Sequence, residues 1–251
     1  MLLLDMQVRV LPFGSLKDTL GSSVSRVELP EGSTVADLLA RISATQPAPL
    51  FRGIAVSVNA QYAISEQVLQ EDDQVALLPP VSGGSDEANL SFLFAPGITS
   101  AVALYRRPID SARIIDAVKD AEDGAIVVFD GIVRDNTRGR KTLYLDYEAY
   151  DELAEKQLRE LAKQARERFG VRHVTMVHRL GRLEVGETSV LIVVASAHRA
   201  QAYEASRWLI DTLKKTVPIW KRETFVDGAV WAAGEPFPEE LAIHPPEAAH
   251  G

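Results

Sequence analysis

The sequence predicts an α+β chain in two parts, and three observations carry that reading. Residues 1–84 run through short strand patterns and one helix pattern in the order β, β, α, β, β. A stretch of proline and glycine, Pro79-Pro80-Val81-Ser82-Gly83-Gly84, then closes the block. Longer strand and helix patterns resume near Leu90. The length of 251 residues suits one large or two small domains.

In the first block, Met6 to Leu11 alternates as a strand, with Met6, Val8 and Val10 on one face. A polar segment from Phe13-Gly14 to Leu20-Gly21 leads to a second alternating run, Val24 to Leu29. Pro30-Glu31-Gly32-Ser33 is a turn. Thr34 and Asp37 have the spacing of a capping box, with Asp in place of the usual Glu or Gln. Val35, Leu38, Leu39 and Ile42 follow on one helical face. Ile54 to Val58 and Gln74 to Leu78 are the last strands, the latter after the turn Glu71-Asp72-Asp73. The prolines at 79 and 80 stop that strand because they have no N–H for a ladder. Ser85-Asp86-Glu87-Ala88-Asn89 shows no apolar pattern and reads as a linker. The expected division is therefore 1–84, a linker at 85–90, a second domain at 91–235 and a loose Pro-, Glu- and Ala-rich tail at 236–251.

The second block opens with a helix through Ala112, Ile115, Ala117 and Val118 that ends before Gly124. Ala125 to Val133 is a nearly continuous apolar strand, and Leu143, Leu145 and Tyr147 alternate in another. Leu153 to Phe169 is a charged helix with Leu153, Leu158, Leu161, Ala162 and Ala165 inward. Strands at Val174–Val177 and Ser189–Ala195 are joined through Gly181 and Gly186. Ala200 to Thr216 is a helix, ended by Pro218.

The chain has no cysteine, which excludes disulfides, thiolate metal sites and a persulfide carrier on it. No segment approaches the ~18–20 apolar residues of a membrane span, and the start has no signal-peptide pattern. A cytoplasmic protein without membrane or nucleic-acid partners is expected, the latter because the net charge is −8. The charge is unevenly placed. Residues 1–84 carry 5 Lys/Arg against 9 Asp/Glu, whereas residues 198–223 carry Arg199, Arg207, Lys214, Lys215, Lys221 and Arg222 against three acids.

Three features of the second block could bind or transform an anion. His198-Arg199 stands where a strand gives way to a helix, whose free N–H groups attract anions. Arg134 to Lys141 is a basic loop at the end of a buried strand. Lys214 and Lys221 bracket Pro218-Ile219-Trp220, and a lysine among cations can act as a base or nucleophile. Taken alone, ordinary capping and an exposed basic loop account for the first two features equally well, and surface charge is the more common reading of two such lysines. The five histidines have no paired metal-ligand spacing, and no phosphate-binding loop, dinucleotide fingerprint or nucleophile elbow is present.

Together these residues resemble a known family. Phe13-Gly14, Val56-Ser57-Val58-Asn59 and Leu77 to Gly84 resemble the small, sulfur-carrying (MoaD-like) subunit of molybdopterin synthase. Phe129-Asp130-Gly131-Ile132-Val133-Arg134, Tyr147-Glu148, His178-Arg179-Leu180-Gly181, Ser196-Ala197-His198-Arg199, Leu213-Lys214 and Pro218 to Glu223 resemble its large, catalytic (MoaE-like) subunit. The resemblance implies an N-terminal ubiquitin-like β-grasp domain followed by a hammerhead-type α/β domain. It implies a sulfurtransferase that installs two sulfurs on cyclic pyranopterin monophosphate to form the dithiolene. Arg134, His198 and Arg199 would bind substrate, and Phe129 would line the pocket near the glycine tail. Lys214 would be the essential catalytic residue with Lys221 assisting. No cofactor is expected; sulfur would travel as a thiocarboxylate on Gly84, next to Gly83, loaded by an adenylating, E1-like activating enzyme.

One feature departs from the family pattern. The small subunit ends at its second glycine, whereas here Ser85 follows Gly84. A peptide carbonyl cannot be adenylated as a carboxylate can, so a protease cutting after Gly84 is expected. A homodimer through the second domain is also expected. A six-residue linker spans at most roughly 20 Å, and the tail's docking in its own or a neighbouring chain stays open. The competing readings are a ubiquitin-like carrier or modifier fused to a non-catalytic anion-binding domain, and an inactive scaffold.

Overall fold

The computed structural model describes residues 5–21, 24–44, 53–80, 99–234, 236–238 and 240–242. Gly83, Gly84, the linker at 85–90 and the chain from residue 243 onward lie outside the described residues. The chain forms two compact units, one of Met1–Val81 with Ala233–Gly251 and one of Ser82–Ala232.

The first unit is a five-stranded mixed sheet gripping a helix, the β-grasp arrangement. Its strands are β1 (Asp5–Pro12), β2 (Ser25–Pro30), β3 (Ala55–Val58), β4 (Gln61–Ala63) and β5 (Gln74–Leu78), in the order β2-β1-β5-β3-β4. β1 and β5 run parallel, with Val10 beside Val75. The polar segment before β2 holds a short helix, α1 (Leu16–Leu20), anchored by buried Leu16. The capping box forms as spaced: the Thr34 hydroxyl accepts from the Asp37 N–H, and the Asp37 carboxylate accepts from the Thr34 N–H at 2.7 Å. α2 (Val35–Ser43) then buries Val35, Leu38 and Leu39 against Val8, Val10, Val56, Val75 and Leu77. The β3–β4 turn places Asn59 and Ala60 at positive φ, 48° and 57°. Asn59 suits it because its side-chain amide also donates to Asp73 and accepts from the Gln74 N–H.

Among the described residues, the second unit contains two sheets and three helices. β6 (Ser100–Tyr105), β10 (His173–Arg179), β12 (Thr188–Ser196) and β7 (Ala125–Ile132) form a sheet in the order β6-β10-β12-β7. Val174, Met176, Ile192 and Val194 face one layer, made of α4 (Asp151–Phe169) and α5 (Arg199–Thr216). Val177, Leu191 and Val193 face the other side, covered by α3 (Ser111–Val118). Burial on both faces explains why β10 and β12 read as continuous apolar runs. α4 stops at Gly170, which takes the left-handed conformation (φ 64°) that a Cβ disfavours. A second sheet, in the order β11-β9-β13-β14, contains β9 (Arg140–Ala149), β11 (Gly181–Glu184), β13 (Ile219–Phe225) and β14 (Gly228–Trp231), with β8 (Asn136–Thr137) paired to β9.

Two expectations change. β4, β6, β8, β11, β13 and β14 were not expected; β13 (Ile-Trp-Lys-Arg-Glu-Thr-Phe) buries Glu223 in line with Phe225, which breaks the apolar alternation. Residues 236–251, expected as a loose tail, are not loose at Phe237. That ring is 5 % exposed and lies edge-on to Tyr62, with centroids 6.0 Å apart.

Candidate active site

Gly83 and Gly84 lie outside the described residues, and the other expected site residues all map to the second unit. β12 ends at Ser196, two residues turn, and α5 starts at Arg199 with His198 at its N-cap. His198 makes no side-chain cap, and its own N–H donates weakly to the Ser196 hydroxyl at 3.4 Å. The first N–H groups of α5 therefore have no side-chain cap, and His198 and Arg199 stand exposed beside them. The turn is pressed against the start of β7. The Gly124 N–H donates to the Ser196 carbonyl at 3.1 Å. A Cβ on Gly124 would fall 2.2 Å from the Ala197 carbonyl oxygen. A cavity of about 300 Å³ opens here, lined by Lys119, Asp120, Asp123, Gly124, Ala125 and Ile126. Asp123 is tied down by Arg172, whose Nε donates at 2.7 Å and whose Nη2 also reaches the Val118 carbonyl.

Lys214 lies at the other end of α5, exposed in its last turn. Fifteen residues of helix separate it from Arg199, about 22 Å of rise. Lys221 follows on β13, opposite Tyr147 of β9. Its Nζ is 2.9 Å from Oε1 of Glu223, whose carboxylate is only 5 % exposed. Tyr147 in turn stands edge-on to His178 at 5.2 Å. His178 is fully enclosed; its Nδ1 pairs with the Arg179 carbonyl at 2.9 Å, and burial pushes its imidazole down to about 4.

Arg134 follows β7 and is exposed. β7 pairs antiparallel with β12, from Ala125 opposite Ser196 to Ile132 opposite Thr188. Arg134 therefore sits about 30 Å along the chain from the end of the sheet that carries His198. The loop behind it is a tight hairpin: Arg138 and Gly139 both have positive φ, and Asn136 accepts from the Gly139 N–H. Its Arg140 is engaged, 3.8 Å over the Phe225 ring and 2.6 Å from Asp227, whose carboxyl it lowers. Phe129 is half-buried on β7 and packs on the core shared with α4 and α5.

α5 packs back along β12 and β7 after a two-residue turn, so it runs antiparallel to β12. Its C-terminal end thus lies toward the Arg134 end of the sheet. The five expected cations form two groups: His198 and Arg199 at one end, Arg134, Lys214 and Lys221 toward the other. One chain does not bring them all together. Glu223 is the functional candidate that sequence reasoning missed; its signal was a carboxylate two residues from Lys221, on the same strand face. Among the described residues, no group of three or more His, Asp or Glu could hold a metal ion, and no helix is long and apolar enough to cross a membrane.

Two family patterns match the chain: the ThiS family over residues 10–84 and the MoaE protein family over residues 104–216. The molybdopterin synthase catalytic subunit of Halalkalibacterium halodurans is 44% identical over 133 residues, covering 53% of this chain and 85% of that protein. That of Pyrococcus abyssi is 43% identical over 138 residues, covering 54% and 93%. The crystal structure of molybdopterin synthase from Staphylococcus aureus matches with a TM-score of 0.50 and 40% identity, over 51% of this chain and 94% of that one.

Proposed function

Because the chain belongs to the family of molybdopterin synthase catalytic subunits, behind a ThiS-family domain, it is a protein of molybdopterin biosynthesis, and we propose that it is both sulfur carrier and catalyst. In this reading, a cut after Gly84 frees a carboxylate that an E1-like enzyme converts to the thiocarboxylate. The second unit then uses that sulfur on cyclic pyranopterin monophosphate. The observation that carries the reading is the pairing of a ThiS-family match running to Gly83-Gly84 with a unit that presents His198, Arg199, Arg134, Lys214 and Lys221.

The chemistry follows from the charges. A phosphate and its pterin need N–H donors and fixed cations, supplied by the α5 N-terminus with His198 and Arg199, and by Arg134. Opening the cyclic phosphate and forming carbon–sulfur bonds require protons to move. Lys214 is assigned that task, with Lys221 held by Glu223 beside it. Phe129 is assigned to the pocket wall near the glycine tail. The separation of the two cation groups supports a site completed by a second copy of the chain. In a two-fold dimer, the N-terminal end of one α5 would meet the C-terminal end of the other.

The test supplies Gly84-thiocarboxylated, cleaved protein with the pyranopterin and measures the dithiolene product. Product is expected from the wild type and lost in Lys214→Ala with the fold intact by circular dichroism. Full activity in that variant removes the assignment, and absence of product from the wild type favours a carrier fused to a binding domain. The cut is checked by intact mass of protein from its native host: a full-length mass alone, in extracts that still make molybdopterin, overturns it.

A further inference from the structure

The first unit is discontinuous. The chain leaves it near Val81, builds the second unit, and returns at Ala233, two residues after the end of β14. The returning segment carries a single aromatic anchor, Phe237, between Pro236 and Pro238. Both prolines fix their own φ, so little backbone freedom is lost on docking. The Pro238 carbonyl accepts from the N–H groups of Leu241 and Ala242, at 2.9 and 3.0 Å, which closes a turn behind the anchor. Phe237 is 5 % exposed and meets Tyr62 at an interplanar angle of 71°. Tyr62 lies on β4, an edge strand of the β-grasp sheet. Tyr62 itself is half-buried, and burial pushes its phenol up.

This arrangement bears on the proposed cut after Gly84. The two units are joined by two crossings, one near residue 81 and one at 232–233. Cleavage severs the first as a covalent link. The second is covalent to the catalytic unit but holds the carrier unit only by packing. We propose that the surface around Tyr62 on β4 is a docking site for the Pro236-Phe237-Pro238 segment of this same protein, and that this contact retains the carrier after cleavage. The inference rests on the cleavage reading for its use in the cell, but the contact itself does not. One aromatic anchor gives a contact that releases and rebinds. The carrier can thus leave to be recharged and rebind the strap in a second, bimolecular step.

The experiment makes its own cut, so natural processing does not enter. Residues 85–90 of the full chain are replaced by the recognition sequence of a site-specific protease. After cleavage, the rate at which the N-terminal fragment exchanges with an isotopically labelled copy is measured by mass spectrometry. Phe237→Ala, and a chain stopped at Ala232, are expected to speed exchange by about tenfold or more. Phe237→Trp is expected to stay close to the wild type. In the uncut chain, Phe237→Ala is expected to speed hydrogen exchange at residues 61–63. Equal fragment exchange rates in wild type and Phe237→Ala, or unchanged protection of β4, overturn the docking site. A full-length mass from the native host would overturn the cleavage reading alone.

Discussion

Glu223 shows how much one side chain's burial can matter. A carboxylate 5 % exposed is costly unless a cation answers it, and Lys221 at 2.9 Å does so. The pair fixes where the Lys221 ammonium sits. Glu223→Gln keeps the shape and removes the charge. We expect kcat to fall by about tenfold or more while KM changes little. An unchanged kcat would show that Glu223 only supports the fold. His178 makes a different prediction, about stability. Its imidazole sits at about 4 in the folded chain against 6.5 when unfolded. Between those values the unfolded chain binds more protons, so stability is complete above pH 6.5 and falls as pH drops toward 4. The full loss is on the order of 3 kcal/mol. Urea unfolding at pH 7.5 and pH 4.5 should show this fall, and His178→Gln should flatten it. These two residues also mark the limit of what the sequence discloses. The pairs Ser196-Ala197-His198-Arg199 and Lys214…Lys221 are legible because they are local, whereas burial of Glu223 and His178 depends on strands brought in from far along the chain.

At the scale of elements, α5 organises the second unit. It is a spacer of about 27 Å with an anion-attracting end and a lysine end. Its start is set by the contact of Gly124 with Ala197, where any Cβ would meet a backbone carbonyl at 2.2 Å. Gly124→Ala should therefore move the turn that carries His198. We expect a destabilisation of about 1–3 kcal/mol and a higher KM for the pyranopterin, read by thermal unfolding and steady-state kinetics. A wild-type KM would mean that the turn absorbs the methyl. Most elements were legible beforehand, for a physical reason. The Thr34–Asp37 box, the helical stripes of α2, α4 and α5, and the apolar runs of β10 and β12 each repeat one burial environment over several residues. β13 did not show because Lys221, Arg222 and Glu223 interrupt its pattern with charges that only the neighbouring strand β9 explains.

At the scale of the molecule, the two cation groups at opposite ends of α5 lead to a prediction about assembly. If the site is shared as proposed, His198→Ala and Lys214→Ala each remove a different half of it. Mixed and allowed to exchange subunits, the two inactive variants should recover about a quarter of wild-type activity, because half the dimers pair unlike chains and regain one of two sites. No recovery would place all the groups of a site in one chain. Sequence alone could not disclose this division, since it lists the residues without the direction of the helix that separates them. The same holds for Phe237, which composition assigned to a tail.

The return of the chain to its first unit also has a consequence in time. Residues 5–80 leave the ribosome roughly ten to thirty seconds before Phe237, at synthesis rates of about 5–20 residues per second. During that interval β4 has no strap across Tyr62, and a nascent chain that stalls before residue 237 never acquires one. The first unit of this protein is therefore finished last, although its making starts first.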